Sequence, residues 1–201
     1  LPALRANVAR ARALAPGTEL LAVVKANAYG HGLMRLLPAL TEADGLALLE
    51  LDAAIALRAA HYLRRILLLE GFFTPDELPE VAARRLAVVV HSEDHVRMLE
   101  LARLERPLEV FVKVNTGMNR LGVPAAAVHA LVERLSHCEA VAVIRLMMHF
   151  ARADEDDGIA GPLGVGDEAR EGMPHPPSVA NSSGVRGQAA PGGDLVRPVI
   201  M

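Results

Sequence analysis

Short runs rich in Val, Leu and Ile recur along the chain, each followed by a longer segment whose apolar residues return every three or four positions. The runs Glu19–Lys25, Gly45–Glu50, Ile66–Glu70, Leu86–Val90, Leu108–Asn115 and Val141–Phe150, with weaker ones at Ser178–Asn181 and Leu195–Met201, predict eight strands. They do not alternate apolar with polar, which suits strands covered on both faces in a parallel sheet. The intervening segments carry helix signals. Leu4, Val8, Ala11 and Ala15 share one face, and Gly17 stands where a C-terminal cap belongs. Asp52 precedes a helix over Ala53–Leu63, and Ser92 precedes one over Glu93–Leu104. Thr74-Pro75-Asp76-Glu77 joins a capping box to Pro at the first helical position, and Pro124 opens a helix running to about Leu135. One region breaks the rhythm. The Gly and Pro residues of Asp157–Ser178 leave only Asp167–Glu171 able to form a helical turn, and Arg186–Gly193 is also Gly-rich, so irregularity is expected around residues 157–193. Alternating strand and helix predict an α/β fold with right-handed crossovers. Eight strands favour a closed (β/α)8 TIM-type barrel over an open doubly wound sheet, although 201 residues is short for one.

Composition narrows the function classes. A length of 201 residues suits one domain. Lys and Arg total 21 against 24 Asp and Glu, with no block of like charge, which argues against a nucleic-acid module. Aromatics are 3% and Trp is absent, so no base-stacking platform is expected. The single cysteine, Cys138, excludes a disulfide framework and a four-cysteine zinc site. No apolar run reaches the ~18 residues of a membrane helix. The opening Leu-Pro-Ala-Leu-Arg reads as a helix rather than a signal peptide, so a cytoplasmic location is expected. The first residue is not Met, as in an internal fragment.

Barrel enzymes place their chemistry at the C-terminal strand ends. The polar residues expected there are Lys25, Glu50, Glu70, His91, Lys113, Asn115, Arg120, His149, Asn181-Ser182-Ser183-Gly184 and Arg197. Lys25 ends an apolar run, Leu20–Val24; beside such a wall an amine is desolvated, titrates lower and attacks carbonyls more readily. The plainer reading is a strand-end lysine reaching solvent. Glu50 and Glu70 on adjacent strands could pair as in a barrel glycosidase, but sugar-binding aromatic platforms are missing. His91 and His95 have i,i+4 spacing without a His-Glu-x-x-His pattern, and read as a capped, solvated helix start.

Five ordered segments carry a family resemblance. Val23-Val24-Lys25-Ala26-Asn27-Ala28-Tyr29-Gly30-His31-Gly32 resembles the pyridoxal-phosphate attachment segment of bacterial alanine racemases. Lys113–Gly122, Met147–Asp154, Ala180-Asn181-Ser182 and Val196-Arg197-Pro198 resemble four further motifs of that family, in the same order over essentially the whole chain. The resemblance implies a fold-type III barrel binding pyridoxal 5'-phosphate, the N-terminal domain of an enzyme that interconverts L- and D-alanine for the cell wall. Carried over residue by residue, Lys25 would hold the cofactor as a Schiff base and exchange the α-proton on the D-alanine side. Tyr29, Asn181, Ser182 and Ile200 would bind the cofactor, with Tyr29 and Ser182 at its phosphate. Arg197 would face the pyridine nitrogen, and His149 would lie against the ring. Arg120 would reach the phenolic oxygen and the substrate carboxylate. Lys113 would lie near Arg120 at the substrate; in some relatives it is carbamylated. The catalytic set is thus Lys25, Arg120 and His149, with no metal.

The pattern also departs from the family. Racemisation needs a proton removed on one face and delivered on the other. In the family the second base is a tyrosine of a C-terminal β domain, supplied by the partner subunit of a homodimer. The tyrosines here are Tyr29 and Tyr62, and neither matches it. Val199 follows Pro198 where the family has Gly. The expectation is a domain over residues 1–201 that binds the cofactor but turns over alanine weakly or not at all. A single-domain barrel that carries the cofactor without turnover, or an inactive fragment, is the competing reading. Alanine is the favoured substrate, with serine or a broader range close behind.

Overall fold

A computed structural model describes residues 1–153, 155, 158–173, 177, 178, 181, 182, 185 and 194–199. In chain order the elements are α1 (Pro2–Leu14), β1 (Glu19–Val23), α2 (Lys25–Tyr29), α3 (Leu33–Leu36), β2 (Gly45–Leu48), α4 (Leu51–Ala59), β3 (Arg65–Leu68), α5 (Leu78–Ala83) and β4 (Ala87–Val90). They continue with α6 (Glu93–Leu101), β5 (Leu108–Asn115), β6 (Val123–Pro124), α7 (Val128–Ser136), β7 (Val141–Met147), α8 (Ala160–Ala169), β8 (Pro177–Ser178) and β9 (Leu195–Val196).

Every strand pairing is parallel. The order β4-β3-β2-β1-β9-β8-β7-β5 is closed by a β4–β5 pairing, so these strands form a ring, and β6 extends β5 at its C-terminal end. This is the expected barrel. The continuous apolar runs are explained by two apolar faces. Leu21, Val23, Ala47, Leu67, Ala87, Val89, Phe111, Met147 and Leu195 pack together inside the ring. Their neighbours Leu20, Ala22, Leu46, Leu48, Ile66, Leu68, Val88, Val90, Val110 and Val112 face outward onto Val8, Leu57, Val81, Val96, Leu99, Val128 and Leu135 of the helices. Full burial of each such side chain contributes roughly 1.5–3 kcal/mol.

The floor of the barrel is charged. Arg65 pairs with Glu19 and with Glu109 (2.9 Å), and Arg145 pairs with the other Glu109 oxygen at 2.7 Å. Gly45 makes room beside this cluster, since a Cβ there would stand 2.6 Å from the Arg65 carbonyl oxygen and from Leu21 Cδ2.

The structure corrects several boundaries. The helices expected over Ala53–Leu63 and Glu93–Leu104 stop at Ala59 and Leu101, the strand expected to reach Phe150 stops at Met147, and β6 was not expected. Thr74 precedes only a 3-10 turn over Pro75–Glu77 and makes no side-chain cap bond; the expected capping box does not form, and Glu77 accepts instead from the Phe73 N–H at 2.6 Å. The largest difference is α8, a ten-residue helix where only Asp167–Glu171 was expected. Pro162 falls in its first turn, where the missing N–H would have no intrahelical acceptor. Gly166 faces the core, and a Cβ there would come within 2.1 Å of Met148 Cε, so this glycine serves close packing rather than breaking the helix. His95 is not solvated as expected. It is 6% exposed and stacks on Phe72 (4.6 Å between ring centroids) while Ser92 Oγ caps the helix by accepting from its backbone N–H.

Candidate active site

The C-terminal mouth is built from strand ends and the turns that follow them. After β1 the chain enters α2 with left-handed backbone: φ is +52° at Ala26, +51° at Asn27, +56° at Ala28 and +53° at Tyr29. Each non-glycine residue in that region costs about 1–2 kcal/mol. Specific contacts offset this. Ala28, Gly30 and Gly32 donate backbone N–H groups to the carbonyls of Val24, Ala26 and Asn27 at 2.9–3.0 Å. Glu50 accepts from the Ala26 N–H at 3.1 Å, and Asn27 Oδ1 accepts from the Leu33 N–H at 2.8 Å. Glu50 is therefore a brace for the turn that begins at Lys25, not half of a glycosidase pair. Sequence reasoning missed this turn; Asn27, Gly30 and Gly32 were its only local signals.

The loop after β5 carries Arg120. Asn115 Oδ1 accepts from the N–H groups of Gly117 and Asn119, both at 3.1 Å, and Asn115 Nδ2 donates to Asn119 Oδ1 at 2.8 Å. Gly122 closes the loop at φ +127°, where a Cβ would lie 2.8 Å from the Asn115 nitrogen.

Arg197 is 4% exposed at the base of the mouth. It donates Nη1 to the Ser178 carbonyl (2.9 Å) and to Ser178 Oγ, and Nη2 to the Met148 carbonyl at 2.5 Å, with no carboxylate partner among the described residues. His149 sits beside it, its Nε2 3.3 Å from Asn181 Nδ2, and Asn181 donates to the Phe150 carbonyl at 2.9 Å. Ser182 Oγ accepts from the Val199 N–H at 2.7 Å.

Lys25, Tyr29, Lys113, Arg120, His149, Asn181 and Arg197 together line one cavity of about 150 Å³, with Val23, Leu49, Leu69, Leu121, Met147 and Val199 as its apolar wall. Ser182 holds the Val199 backbone at its rim. Ile200 lies outside the described residues. Among the described residues of the lining Glu70 is the single carboxylate, set against two lysines and two arginines. This imbalance has visible effects. Burial, with Arg120 and Arg197 nearby, pushes Lys113 down to about 8. Burial, then the charges of Arg197, Lys113, Arg120 and Lys25, pushes His149 down to about 4. The Tyr29 phenol is raised by burial. Four cations around a small, partly apolar space are the donor set for an anion that also carries a flat apolar body. Pyridoxal phosphate fits this description: a phosphate, a phenolate and an aldehyde within reach of a lysine. Among the described residues no group of three or more His, Cys, Asp and Glu could hold a metal ion.

A pH effect follows from the histidines. His95 is also pushed down to about 4, by burial and then by His91. Both rings are held neutral in the fold, so below pH 6.5 the unfolded chain takes up protons first. The stability they allow is intact above about 6.5 and is lost as pH falls toward 4, by roughly 1–2 kcal/mol per ring allowing for partial solvent access. Urea unfolding at pH 7 and pH 4.5 will show this loss, and His149→Gln will reduce it.

The comparisons agree with this geometry. The family model described as "Alanine racemase, N-terminal domain" matches residues 1–201. A protein of Nitrosospira multiformis named alanine racemase is 48% identical over 202 residues, covering 99% of this chain and 57% of that protein. A catabolic alanine racemase of Klebsiella aerogenes is 44% identical over 201 residues, covering 100% of this chain and 56% of its own length. The crystal structure of the biosynthetic alanine racemase from Pseudomonas aeruginosa superposes with a TM-score of 0.93 at 37% identity, covering 100% of this chain and 57% of that one. The chain thus spans somewhat more than half the length of these relatives.

Proposed function

Because the chain belongs to the alanine racemase N-terminal domain family, we propose that residues 1–201 are the cofactor-holding part of a pyridoxal-phosphate-dependent racemase acting on alanine. The observation that carries this reading is the single cavity that gathers Lys25, Lys113, Arg120 and Arg197 around one carboxylate, Glu70. The cofactor, when bound, supplies an electron sink that acidifies the α-hydrogen of the amino acid.

The chain's own residues do the rest. Lys25 would hold the cofactor through Nζ, and its amine would take or return the α-proton on one face of the substrate. Arg120, displayed on the Asn115-braced loop, orients the substrate carboxylate with its planar fork. Arg197, a cation pinned by the Ser178 and Met148 carbonyls, would face the ring nitrogen of the cofactor and would not donate a proton to it. His149, kept neutral by burial and then by its cationic neighbours, would offer an uncharged face to the ring. Tyr29 and Ser182 would hold the phosphate end.

The opposite-face proton requires a second group. Tyr62 precedes β3, at the other end of the barrel from Lys25, and Tyr29 serves the phosphate. Neither tyrosine is placed to serve that face, and the resemblance to alanine racemases implies that a tyrosine of the family's second domain would supply the proton. The test uses the 201-residue chain with pyridoxal phosphate and D-alanine in deuterium oxide. A visible cofactor band and α-deuterium entering D-alanine, with L-alanine at least a hundredfold slower to appear, is the expected result. Absence of any cofactor band would defeat the proposal; rapid L-alanine formation would place the second base within these residues.

A further inference from the structure

The N-terminal end of the barrel carries a second concavity that the chemistry above does not use. It lies at the entries of β3, β4 and β5 and the end of α5, with a volume of about 720 Å³, within the usual range of small-molecule sites. Arg58, Arg64, Arg65, Arg84, Arg85 and Arg106 line it with one carboxylate, Glu109. The whole chain has a net charge of -3, so this is a local reversal of sign.

Only part of that charge is neutralised. Arg65 is paired with Glu19 and Glu109, and Arg84 with Glu80 at 2.6 Å. Arg58 is held by carbonyls instead, donating to the backbone oxygens of Arg84 (2.8 Å), Tyr62 (2.5 Å), Arg64 (2.7 Å) and Arg85 (3.0 Å). Arg64 donates to the carbonyls of Thr41 and Ala43. Asp44 feels the Arg64 charge but is ion-paired with Arg12 at 2.6 Å. Carbonyls fix a guanidinium without cancelling it, so Arg58 and Arg64 are rigid sources of positive potential. Arg85 and Arg106 are exposed, and their guanidiniums make no hydrogen bond or ion pair among the described residues. Arg85 projects from a turn with φ +51° that Arg58 pins through two carbonyls. Leu63, 86% exposed, and Pro107 leave apolar surface beside the free guanidiniums.

We propose that this cavity binds a small molecule bearing a diphosphate, gripped by the guanidinium forks of Arg85 and Arg106 in the field of Arg58 and Arg64. The fork geometry suits adjacent phosphate oxygens. Free pyrophosphate and a nucleoside diphosphate share this chemistry, and Leu63 and Pro107 would seat the organic part of the latter.

Calorimetric titration of the full chain with ADP and with inorganic pyrophosphate tests this. Both are expected to bind with Kd below about 1 mM, and R85A/R106A, with its melting temperature unchanged, to bind at least tenfold more weakly. The variant K25A/Y29F should bind as the parent does, which separates this site from the cofactor cavity. Tighter binding of ADP would assign the organic diphosphate as occupant, and equal binding the inorganic one. Absence of saturable binding, equal affinity in R85A/R106A, or loss of binding in K25A/Y29F would overturn the proposal.

Discussion

Lys25→Ala is expected to abolish covalent retention of pyridoxal phosphate. The parent chain mixed with the cofactor should show a visible band, and borohydride treatment followed by peptide mapping should fix the added mass on Lys25. In Lys25→Ala the band and the tag should both vanish, and exchange of the D-alanine α-hydrogen should fall by about three orders of magnitude or more. Lys113 provides the internal control. It is a second amine lining the same cavity, pushed down to about 8 and therefore partly unprotonated near neutral pH. If the tag moved to Lys113, proximity alone would be deciding the chemistry. If it disappears, the left-handed turn that fixes Lys25 at the end of β1 is what selects the attacking amine.

Gly122→Ala is expected to give the largest loss of stability among single small substitutions at the mouth. At φ +127° an L side chain is strained whatever the space. Here there is no space: the added Cβ would meet the Asn115 nitrogen at 2.8 Å, the Val114 carbonyl carbon at 3.0 Å and the Lys113 carbonyl oxygen at 3.1 Å, all backbone. The barrel edge at β5 would have to move, at roughly 3–4 kcal/mol. For a chain of this size that is about 10 °C in melting temperature. Because the displaced loop carries Arg120, cofactor affinity should fall as well. A melting temperature within 2–3 °C of the parent would show that the loop yields without involving β5.

The fold was largely legible because its strands are covered on both faces. A buried parallel strand leaves an uninterrupted apolar run, and six such runs at regular spacing admit few architectures. The last two strands were weakly legible because β8 and β9 hold two residues each in the described structure and carry little apolar signal. α8 was misread for a different reason. Gly and Pro propensities describe an isolated helix, whereas Pro162 sits where no hydrogen bond is lost and Gly166 answers to Met148. His95 was misread because an i,i+4 pair after a serine cap looks the same whether the helix faces solvent or Phe72.

The site divides similarly. Lys25, Tyr29, Lys113, Arg120, His149, Asn181 and Arg197 were singled out from motif and strand-end position, and all seven line one cavity. Their surroundings were not legible. That Glu50 braces the Ala26 amide, or that Arg197 rests on the Ser178 and Met148 carbonyls, depends on register between strands distant in sequence. The arginines of the opposite end were also invisible. They are scattered between Arg58 and Arg106, and no linear pattern links them.

Inside the ring, Leu21, Ala47, Leu67, Val89, Phe111, Met147 and Leu195 form a dry septum, none more than 3% exposed. Among the described residues solvent therefore finds no route along the bore, and a hydron travelling to or from the Lys25 amine passes through the mouth above it. Plugging that mouth with a bulky cofactor analogue should trap isotope already on the Lys25 amine, however open the far end of the barrel remains.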